Sequence, residues 1–300
     1  MPKVSIILPI YNVAPYLDEA FQSILSQTLS DIEVIAVNDG STDNSQEVID
    51  RYAAQDNRII VIQQENQGLS MARNAALRYA KGEYIYMMDS DDVLSSPEAL
   101  QSCYDYTERN KADFIFFDGE RFVGDVSNCI SKIKRTHLAK EDKKYTGDFL
   151  LNLMINNRTH NSVVWLLLIN HDYLKRIELK FYPGIIHEDE LFTTILTLRS
   201  DAIYCLKQSF VKHRVRSTSI MGLQYTKRNL DCYLTVFDEL FKFQDSMIIR
   251  KFARYTLSKV FYTGHQIPLK DKFGVFWRAT KSGYLKYIGL KSSLVFWIKR

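Results

Sequence analysis

The tetrad Asp89-Ser90-Asp91-Asp92 places three carboxylates within four residues, at the end of the apolar run Tyr84 to Met88. If strand alternation continues through the tetrad, Asp89 and Asp91 lie on one side of the backbone with the small Ser90 between them. Carboxylates so close repel one another unless a positive charge separates them. A divalent cation, Mg²⁺ or Mn²⁺, suits such ligands and often carries substrate phosphates. A solvated, Asp-rich turn is the alternative, and the tetrad alone leaves both open.

The residues before the tetrad predict an α/β fold. Short runs that are apolar on both faces alternate with amphipathic stretches, which indicates a mainly parallel sheet flanked by helices. The predicted strands span residues 4–8, 32–37, 58–62 and 84–88. Ligands of such sheets bind at the carboxyl ends of the strands. The polar loops 9–12, 38–41 and 89–92 fall at that edge and are expected to form one site, although three unrelated turns would give the same pattern.

Several side chains near these loops suit a nucleotide. The ring of Tyr11 can stack on a base, and Asn12 can hydrogen-bond beside it. Asp39 can accept from a base N–H or from ribose hydroxyls, and Gly40 allows close backbone approach. Arg73, on the third predicted helix, can reach a phosphate or pair with a loop carboxylate, and both options stay open. The sequence contains neither the dinucleotide fingerprint G-x-G-x-x-G nor the P-loop pattern G-x-x-x-x-G-K-[ST].

Composition narrows the class of protein. With 300 residues, 46% hydrophobic and 25% charged, the chain is typical of a globular protein with a sizeable core. Its four cysteines lie far apart, which favours reduced thiols in the cytosol. No signal peptide is recognisable, and the longest aliphatic or aromatic run, Val163 to Ile169, is too short to span a bilayer. We therefore expect a cytoplasmic protein that is not integral to a membrane.

Charge is divided unevenly along the chain. The net charge is +4, yet residues 250–300 hold twelve Lys or Arg and one Asp, so residues 1–249 carry −7. From about residue 226 the pattern is helical, and aromatic side chains such as Trp277 and Trp297 stand among lysines. This mixture suits an anionic membrane surface. Ordinary packed helices are the alternative, and nucleic acid is not expected because no binding motif accompanies the charge.

Four stretches together carry a family resemblance. They cover roughly residues 3–100 in a fixed order: Val4-Ser5-Ile6-Ile7-Leu8-Pro9-Ile10-Tyr11-Asn12, Val37-Asn38-Asp39-Gly40-Ser41-Thr42-Asp43, Asn66-Gln67-Gly68-Leu69-Ser70-Met71-Ala72-Arg73-Asn74 and Asp89-Ser90-Asp91-Asp92. The chain resembles the family 2 glycosyltransferases with the GT-A fold. The resemblance implies an inverting enzyme that transfers a sugar from a nucleotide diphosphate sugar, most often a UDP-sugar.

The same resemblance implies roles for individual residues. The first loop and Asp39 would hold the nucleobase and ribose, and the aspartate motif would hold the donor and a divalent metal. Asp91 is then the best metal ligand, Asp89 leans toward the donor, and Asp92 is a support. The implied donor-binding set comprises Pro9, Tyr11, Asn12, Asp39, Gly68, Arg73, Asp89, Ser90, Arg214 and Arg216.

Two downstream segments complete the predicted site. His187 to Phe192 resembles the Glu-Asp-x-x-Phe element of the family, which makes Asp189 the expected catalytic base. Glu188 would either orient Asp189 or contact the acceptor. These acids would also stabilise a helix N-terminus, and both roles can hold together. His213 to Met221 resembles a family segment in which Arg214 and Arg216 suit a pyrophosphate clamp or a lid, with His213 a candidate metal ligand. A solvated basic loop is the alternative there.

The expected organisation has three parts. Residues 1–110 form the nucleotide-sugar half and residues 111–225 the acceptor and base half of one GT-A domain, followed by the basic helical region 226–300. The predicted enzyme is metal-dependent (Mn²⁺ or Mg²⁺) and builds a bacterial capsule, lipopolysaccharide or exopolysaccharide on a glycan or lipid-linked glycan, at the inner face of the cytoplasmic membrane. A sugar nucleotidyltransferase, a non-catalytic sugar-binding module and a glycosidase are the alternatives. The oligomeric state stays open.

Overall fold

A computed structural model describes residues 1–216 and 225–299 of the chain. The part of the predicted basic segment from Ser217 to Met221 lies outside the described residues. Within them the chain forms one large mixed sheet with helices on both faces, followed by a purely helical C-terminal region. The α/β expectation is therefore confirmed, and so is the helical C-terminal region.

In the described part of the chain the sheet has nine strands, whose order begins β3-β2-β1-β4 and continues β8-β6-β9-β5, with β7 paired to β6. The first four strands are mutually parallel, as predicted, whereas β8 joins β4 and β6 in antiparallel pairs. The strands are β1 Val4–Ile10, β2 Ile32–Asp39, β3 Ile59–Gln64, β4 Tyr84–Met87, β5 Val93–Leu94, β6 Phe114–Phe122, β7 Cys129–Ile133, β8 Leu167–Asn170 and β9 Ile203–Arg214.

Eleven α-helices are present among the described residues. They are α1 Ala14–Leu25, α2 Ser45–Ala53, α3 Leu69–Leu77, α4 Ala99–Asn110, α5 Gly147–Asn156, α6 His171–Arg176, α7 Glu188–Leu198, α8 Lys227–Phe243, α9 Met247–Thr263, α10 Leu269–Lys281 and α11 Leu290–Ile298. No helix in the described ranges has both the length and the apolar character that a bilayer crossing requires.

Strand β1 continues through Pro9, where the sequence predicted its end. Ile7 faces β4, because its carbonyl accepts from the Met88 N–H, and Pro9 two residues later faces the same side. Strand β4 ends at Met87, which is paired with Ile7. Pro9 therefore lies past the end of β4, where no carbonyl of that strand needs an N–H from residue 9.

Three buried apolar clusters hold the fold together. Two cover opposite faces of the sheet, and alternate residues of β1, such as Ile6 and Ile7, belong to different ones. The third joins α8–α11 to α5 and α7, with the rings of Phe237 and Phe252 fully buried in it. Each large apolar side chain buried in this way contributes about 1.5–3 kcal/mol. The C-terminal helices are thus packed against the half of the sheet domain that carries α7.

Candidate functional site

The aspartate tetrad forms a turn. Strand β4 ends at Met87, and the Asp92 N–H donates to the Asp89 carbonyl at 3.1 Å. Strand alternation therefore does not extend to residue 91, so it gives no reason to expect Asp89 and Asp91 on one side of the backbone. The turn instead brings Asp89 and Asp92 together with His213, so that one ligand atom from each lies within 4.8 Å of the others.

Asp92 is fully buried and holds the end of β9. Its carboxylate faces Nδ1 of His213 at 2.9 Å and accepts from the Arg214 N–H at 2.8 Å. Burial raises the pKa of Asp92 to about 7, although the hydrogen bond with His213 opposes the change. Burial would lower the pKa of His213, but its bond to Asp92 raises that pKa on balance. The imidazole also stacks on the ring of Trp165, with centroids 4.8 Å apart, so its orientation is fixed from two sides.

Asp91 has a different partner from its neighbours. Its Oδ2 lies 2.7 Å from Nη2 of Arg216, and the residue is 8% exposed. Burial and the charge of Asp89 raise the pKa of Asp91, and Arg216 opposes the rise. Where the resemblance gave the metal to Asp91 and His213, the three groups in closest mutual reach are Asp89, Asp92 and His213.

Arg214 is engaged within the protein. Its Nε donates to the Asp91 carbonyl at 3.0 Å, and Nη1 donates to the Gly124 carbonyl at 2.8 Å. Nη2 pairs with Glu19 at 2.6 Å. Because all three guanidinium nitrogens have protein partners, Arg214 ties the tetrad turn to α1 and to the residues after β6. Of the two arginines predicted to clamp a pyrophosphate, Arg216 is the one whose guanidinium pairs with a tetrad carboxylate, whereas Arg214 bonds to Asp92 through its backbone N–H.

Arg73 brings the two halves of the site together. The side chain is buried on α3, with Nη1 2.7 Å from Asp189 and 2.9 Å from Glu188, and Nη2 3.0 Å from Asp89. The Phe181 ring lies 5.0 Å from the guanidinium carbon. Of the options left open for Arg73, carboxylate pairing is the one present, and it extends to the predicted base.

Asp189 lies in the first turn of α7. Its Oδ1 accepts from Arg73, and its Oδ2 accepts from the Val164 N–H at 3.2 Å. Burial raises the pKa of Asp189, with Arg73 opposing, and burial together with the charge of Asp189 raises the pKa of Glu188 to about 7. Both acids also lie where a helix dipole favours negative charge. The stabilising position and the predicted base position therefore coincide.

Asp39 organises the loop in front of α3. Its carboxylate accepts from the N–H groups of Gln67 and Gly68 at 2.9 and 2.8 Å and from the Gln64 amide at 2.6 Å. Gly68 has a φ of +86°, a conformation that favours glycine, directly before α3 begins. Asp39 is therefore bonded to the chain itself, in a position predicted to contact the nucleoside.

The first two loops are joined to each other. Asn12, at φ +51°, accepts from the Thr42 N–H at 2.8 Å, and its own N–H donates to the Ser41 hydroxyl at 3.1 Å. Tyr11 beside it is 49% exposed, so its ring is open to a base. At Gly40 a Cβ would lie 2.7 Å from the Asn66 nitrogen, which explains the glycine at this crossing. The three predicted loops thus share one edge of the sheet.

Sequence reasoning missed two contributors. The side-chain amide of Asn74 donates to the Phe181 carbonyl at 2.8 Å and accepts from the Phe181 N–H at 2.9 Å. These two bonds fix the segment whose ring lies over Arg73. Asn74 belongs to the third of the four stretches that carry the family resemblance. A polar residue on a buried helix is a signal from which its role could have been predicted. Phe181 has no comparable signal, because its contacts depend on tertiary structure.

Comparisons with known proteins show the family to which the chain belongs. The family described as "Glycosyl transferase family 2" matches residues 5–177. The glycosyltransferase GlyG of Streptococcus pneumoniae is 31% identical over 227 residues, 74% of each chain. The uncharacterised glycosyltransferase EpsJ of Bacillus subtilis is 49% identical over 115 residues, 38% of this chain and only 33% of EpsJ.

A solved structure shows the same fold. S. aureus TarS 1–349 in complex with UDP-GlcNAc superposes with a TM-score of 0.73 at 19% identity, covering 98% of this chain and 83% of that one. The family match extends over more than half of the chain, from β1 to the end of α6. This protein belongs to family 2 of the glycosyltransferases.

Proposed function

We propose that this protein transfers a sugar from a nucleotide diphosphate sugar, a UDP-sugar in the first place, to a hydroxyl of a growing glycan. The observation that carries the proposal is the shared guanidinium of Arg73, which contacts the predicted base Asp189 and the predicted donor residue Asp89. Proton acceptor and donor loop are thereby fixed relative to each other, as a single displacement requires. The glycan would be a bacterial surface polysaccharide, such as a capsule, lipopolysaccharide or exopolysaccharide.

The displacement needs one base and no covalent enzyme intermediate. The Asp189 carboxylate accepts the proton of the acceptor hydroxyl while the hydroxyl oxygen bonds to C1 of the sugar. The bond from C1 to the diphosphate oxygen breaks in the same step, and the electron pair leaves on the diphosphate, so the configuration at C1 inverts. A raised pKa makes Asp189 a stronger base than an exposed aspartate. Its two carboxylate oxygens are held by Arg73 and Val164, which directs the group.

The tetrad and His213 fit a divalent cation. Carboxylates with one imidazole are a donor set that Mn²⁺ accepts readily. Asp92 is fully buried and already bonded to Nδ1 of His213 and to Arg214, so we assign it the role of orienting the imidazole. That leaves Nε2 of His213 and the Asp89 carboxylate as the ligand side. Asp91 is the further ligand that the resemblance implies, and it would have to exchange its ion pair with Arg216 for the metal. A metal bound there would offset the charge that develops on the leaving diphosphate.

The C-terminal helices carry a surface that suits membrane docking. Helices α10 and α11 each expose apolar side chains at every fourth position, and we call these six side chains the apolar face. Its members are Leu269, Phe273, Trp277, Leu290, Leu294 and Ile298, all more than half exposed. Exposed lysines, including Lys270, Lys281, Lys291 and Lys299, surround these positions. We propose that this face docks on an anionic membrane, which would bring the enzyme to a lipid-linked acceptor.

One assay tests the transferase. The full-length protein is incubated with Mn²⁺, a panel of UDP- and GDP-sugars and a glycan extract, and nucleoside diphosphate release is measured. Asp189→Asn should abolish release and retain nucleotide binding, whereas Asp172→Asn, at an aspartate with a 94% exposed side chain, should not change either. Full turnover by Asp189→Asn would overturn the base assignment. Pyrophosphate released from a nucleoside triphosphate and a sugar phosphate would indicate a nucleotidyltransferase instead.

A further inference from the structure

Arg135 is a buried cation with no carboxylate partner in residues 1–216 and 225–299. It lies just after β7 and is 8% exposed. Its guanidinium makes one hydrogen bond there, from Nη1 to the Val163 carbonyl at 3.0 Å, and its Nε has none. The Phe116 ring lies 5.7 Å from the guanidinium carbon. Residues 217–224 contain no acidic side chain that could complete the pairing.

The nearest acids do not neutralise this charge by contact. Asp118 accepts from the backbone N–H groups of Arg135 and Thr136 at 2.6 and 2.8 Å and from the Thr136 hydroxyl at 2.8 Å. Burial lowers the pKa of Arg135 to about 10, with the charges of Asp189 and Asp118 opposing. The group therefore stays charged at neutral pH. A buried charge without a counterion is costly, and buried charges in proteins are normally paired.

A single peptide group connects Arg135 with the predicted base. The carbonyl of the Val163–Val164 peptide accepts from Arg135, and the N–H of that peptide donates to Oδ2 of Asp189 at 3.2 Å. The two hydrogen bonds and the C=O and C–N bonds between them limit the separation of Nη1 and Oδ2 to about 9 Å. Arg135 and the predicted base are therefore close enough for one acceptor molecule to contact both.

We propose that Arg135 binds an anionic group of the acceptor, a carboxylate or a phosphate, on or next to the sugar whose hydroxyl is deprotonated by Asp189. The inference rests on the proposed function and deepens it, because it assigns the acceptor to acidic glycans. A guanidinium recognises carboxylates and phosphates through paired N–H donors. The unused Nε, with an adjacent Nη, supplies such a pair. The anion would also give the buried charge its counterion.

Two matched ligand pairs test the charge preference by isothermal titration calorimetry. Methyl β-glucuronide is compared with methyl β-glucoside for a carboxylate, and glycerol 3-phosphate with glycerol for a phosphate. For at least one pair, the wild-type protein should bind the anion at least tenfold more tightly than the neutral partner. The pair that discriminates identifies the anion. Equal binding within both pairs would overturn the proposal.

Variants assign the preference to the side chain. Arg135→Gln should lose the discrimination, Arg135→Lys should keep part of it, and Arg109→Gln, at an arginine with a 65% exposed side chain, should keep all of it. If Arg135→Gln fails to fold in a thermal unfolding scan, the wild type and Arg135→Lys decide. Discrimination that persists in a folded Arg135→Gln protein would contradict the assignment.

Turnover separates this inference from the proposed function. Arg135→Gln should raise KM for an acidic acceptor and leave kcat and the KM for a neutral acceptor nearly unchanged. An equal fall in kcat for both acceptors would mean that Arg135 acts on Asp189 through the Val163–Val164 peptide, and the proposal would fail while the transferase stands. Absence of nucleoside diphosphate release with every donor would refute the transferase, whereas the binding preference for anions is measured without it.

Discussion

Nη1 of Arg73 donates a 2.7 Å hydrogen bond to Oδ1 of Asp189, which lies 116 residues further along the chain. The same guanidinium contacts Glu188 and Asp89. Three carboxylates thus converge on one buried cation, which leaves the cluster with excess negative charge when all are ionised. Arg73 is therefore both a structural link between α3 and α7 and the cation that opposes the rise in the pKa of Asp189, the proposed base.

Removing this cation should destabilise the protein. Arg73→Met leaves three facing carboxylates without a counterion, and breaking a buried ion pair costs about 3–5 kcal/mol. Arg73→Lys keeps the charge but cannot reach three carboxylates through a planar fork, so an intermediate loss is expected. Urea unfolding measures the change. Arg78→Met, at an exposed arginine just after the same helix, should change stability by less than about 0.5 kcal/mol. Equal stability of Arg73→Met and the wild type would show that the carboxylates are not ionised together.

The carboxylates around Arg73 should impose an acidic limit on the rate. The base must be deprotonated, and burial raises the pKa of Asp189 and takes that of Glu188 to about 7. Turnover should therefore fall on acidification at a higher pH than an exposed aspartate would give, and level off at higher pH, because a raised pKa moves the loss of the base to higher pH. Steady-state rates between pH 5 and 9, with donor saturating, measure this limb.

The Glu188→Gln variant tests whether the charge of Glu188 contributes to the raised pKa of Asp189. The substitution removes a negative charge that interacts with Asp189, so the acid limb should move to lower pH while the plateau keeps its shape. The stability of the fold should change with pH in the direction opposite to the rate. A folded-state pKa above the unfolded one means that the wild type loses stability as the pH rises from about 4.5 to about 7. An acid limb that stays near pH 4 in the wild type would contradict both expectations.

The sequence predicts more of the strands than of the site. Apolar runs and the polar loops after them follow from local patterns, and β1 to β4 appear within one or two residues of their expected bounds. The side-chain directions in the tetrad do not follow from local patterns, because they depend on a turn that is closed by the Asp92 N–H. The pairing of Asp92 with His213 across 121 residues leaves no local signal either.

Arg135 and the C-terminal helices also separate what local sequence patterns predict from what depends on tertiary structure. Nothing in the sequence near Arg135 indicates a buried cation, since its surroundings come from β6 and the segment before β8. The sequence pattern of the tail leaves membrane contact and ordinary helix packing open for its aromatic residues. The structure separates them, because Tyr284, Tyr287 and Phe296 are buried in the third cluster and Trp277 is 67% exposed. Helical periodicity could have predicted the outcome for Trp277 in α10 and Phe296 in α11, whereas Tyr284 and Tyr287 lie between those helices.

Metal binding should depend on His213. His213→Gln removes an imidazole ligand and should weaken Mn²⁺ binding at least tenfold in the presence of UDP. Asp92→Ala should weaken it by a similar factor of about 10–100 by releasing the ring orientation. Calorimetric titration of Mn²⁺ measures both. His137→Gln, at an exposed histidine bonded only to the Lys134 carbonyl among described residues, is the control. Unchanged Mn²⁺ affinity in His213→Gln would exclude the imidazole as a ligand.

The apolar face on α10 and α11 should determine membrane binding. Phe273 and Trp277 are 62% and 67% exposed one helical turn apart, and Phe273 contacts Trp297 of α11 with ring centroids 5.1 Å apart. Inserted aromatic rings contribute apolar burial, and each nearby Lys or Arg contributes about 1 kcal/mol at an anionic surface. The double variant Phe273→Ala and Trp277→Ala should therefore float poorly with vesicles containing 30% anionic lipid.

Two comparisons complete the flotation experiment. Tyr79→Ala replaces a 52% exposed aromatic residue just after α3 and should float like the wild type. Neutral vesicles, or high salt, should reduce flotation of the wild type, because the attraction of the +11 segment is screened within a Debye length. Equal flotation of the double variant and the wild type would remove the apolar face as the docking surface. Failure of the wild type to float at all would remove membrane docking itself, and a second copy of the chain, detected by sedimentation, would then be the occupant to test.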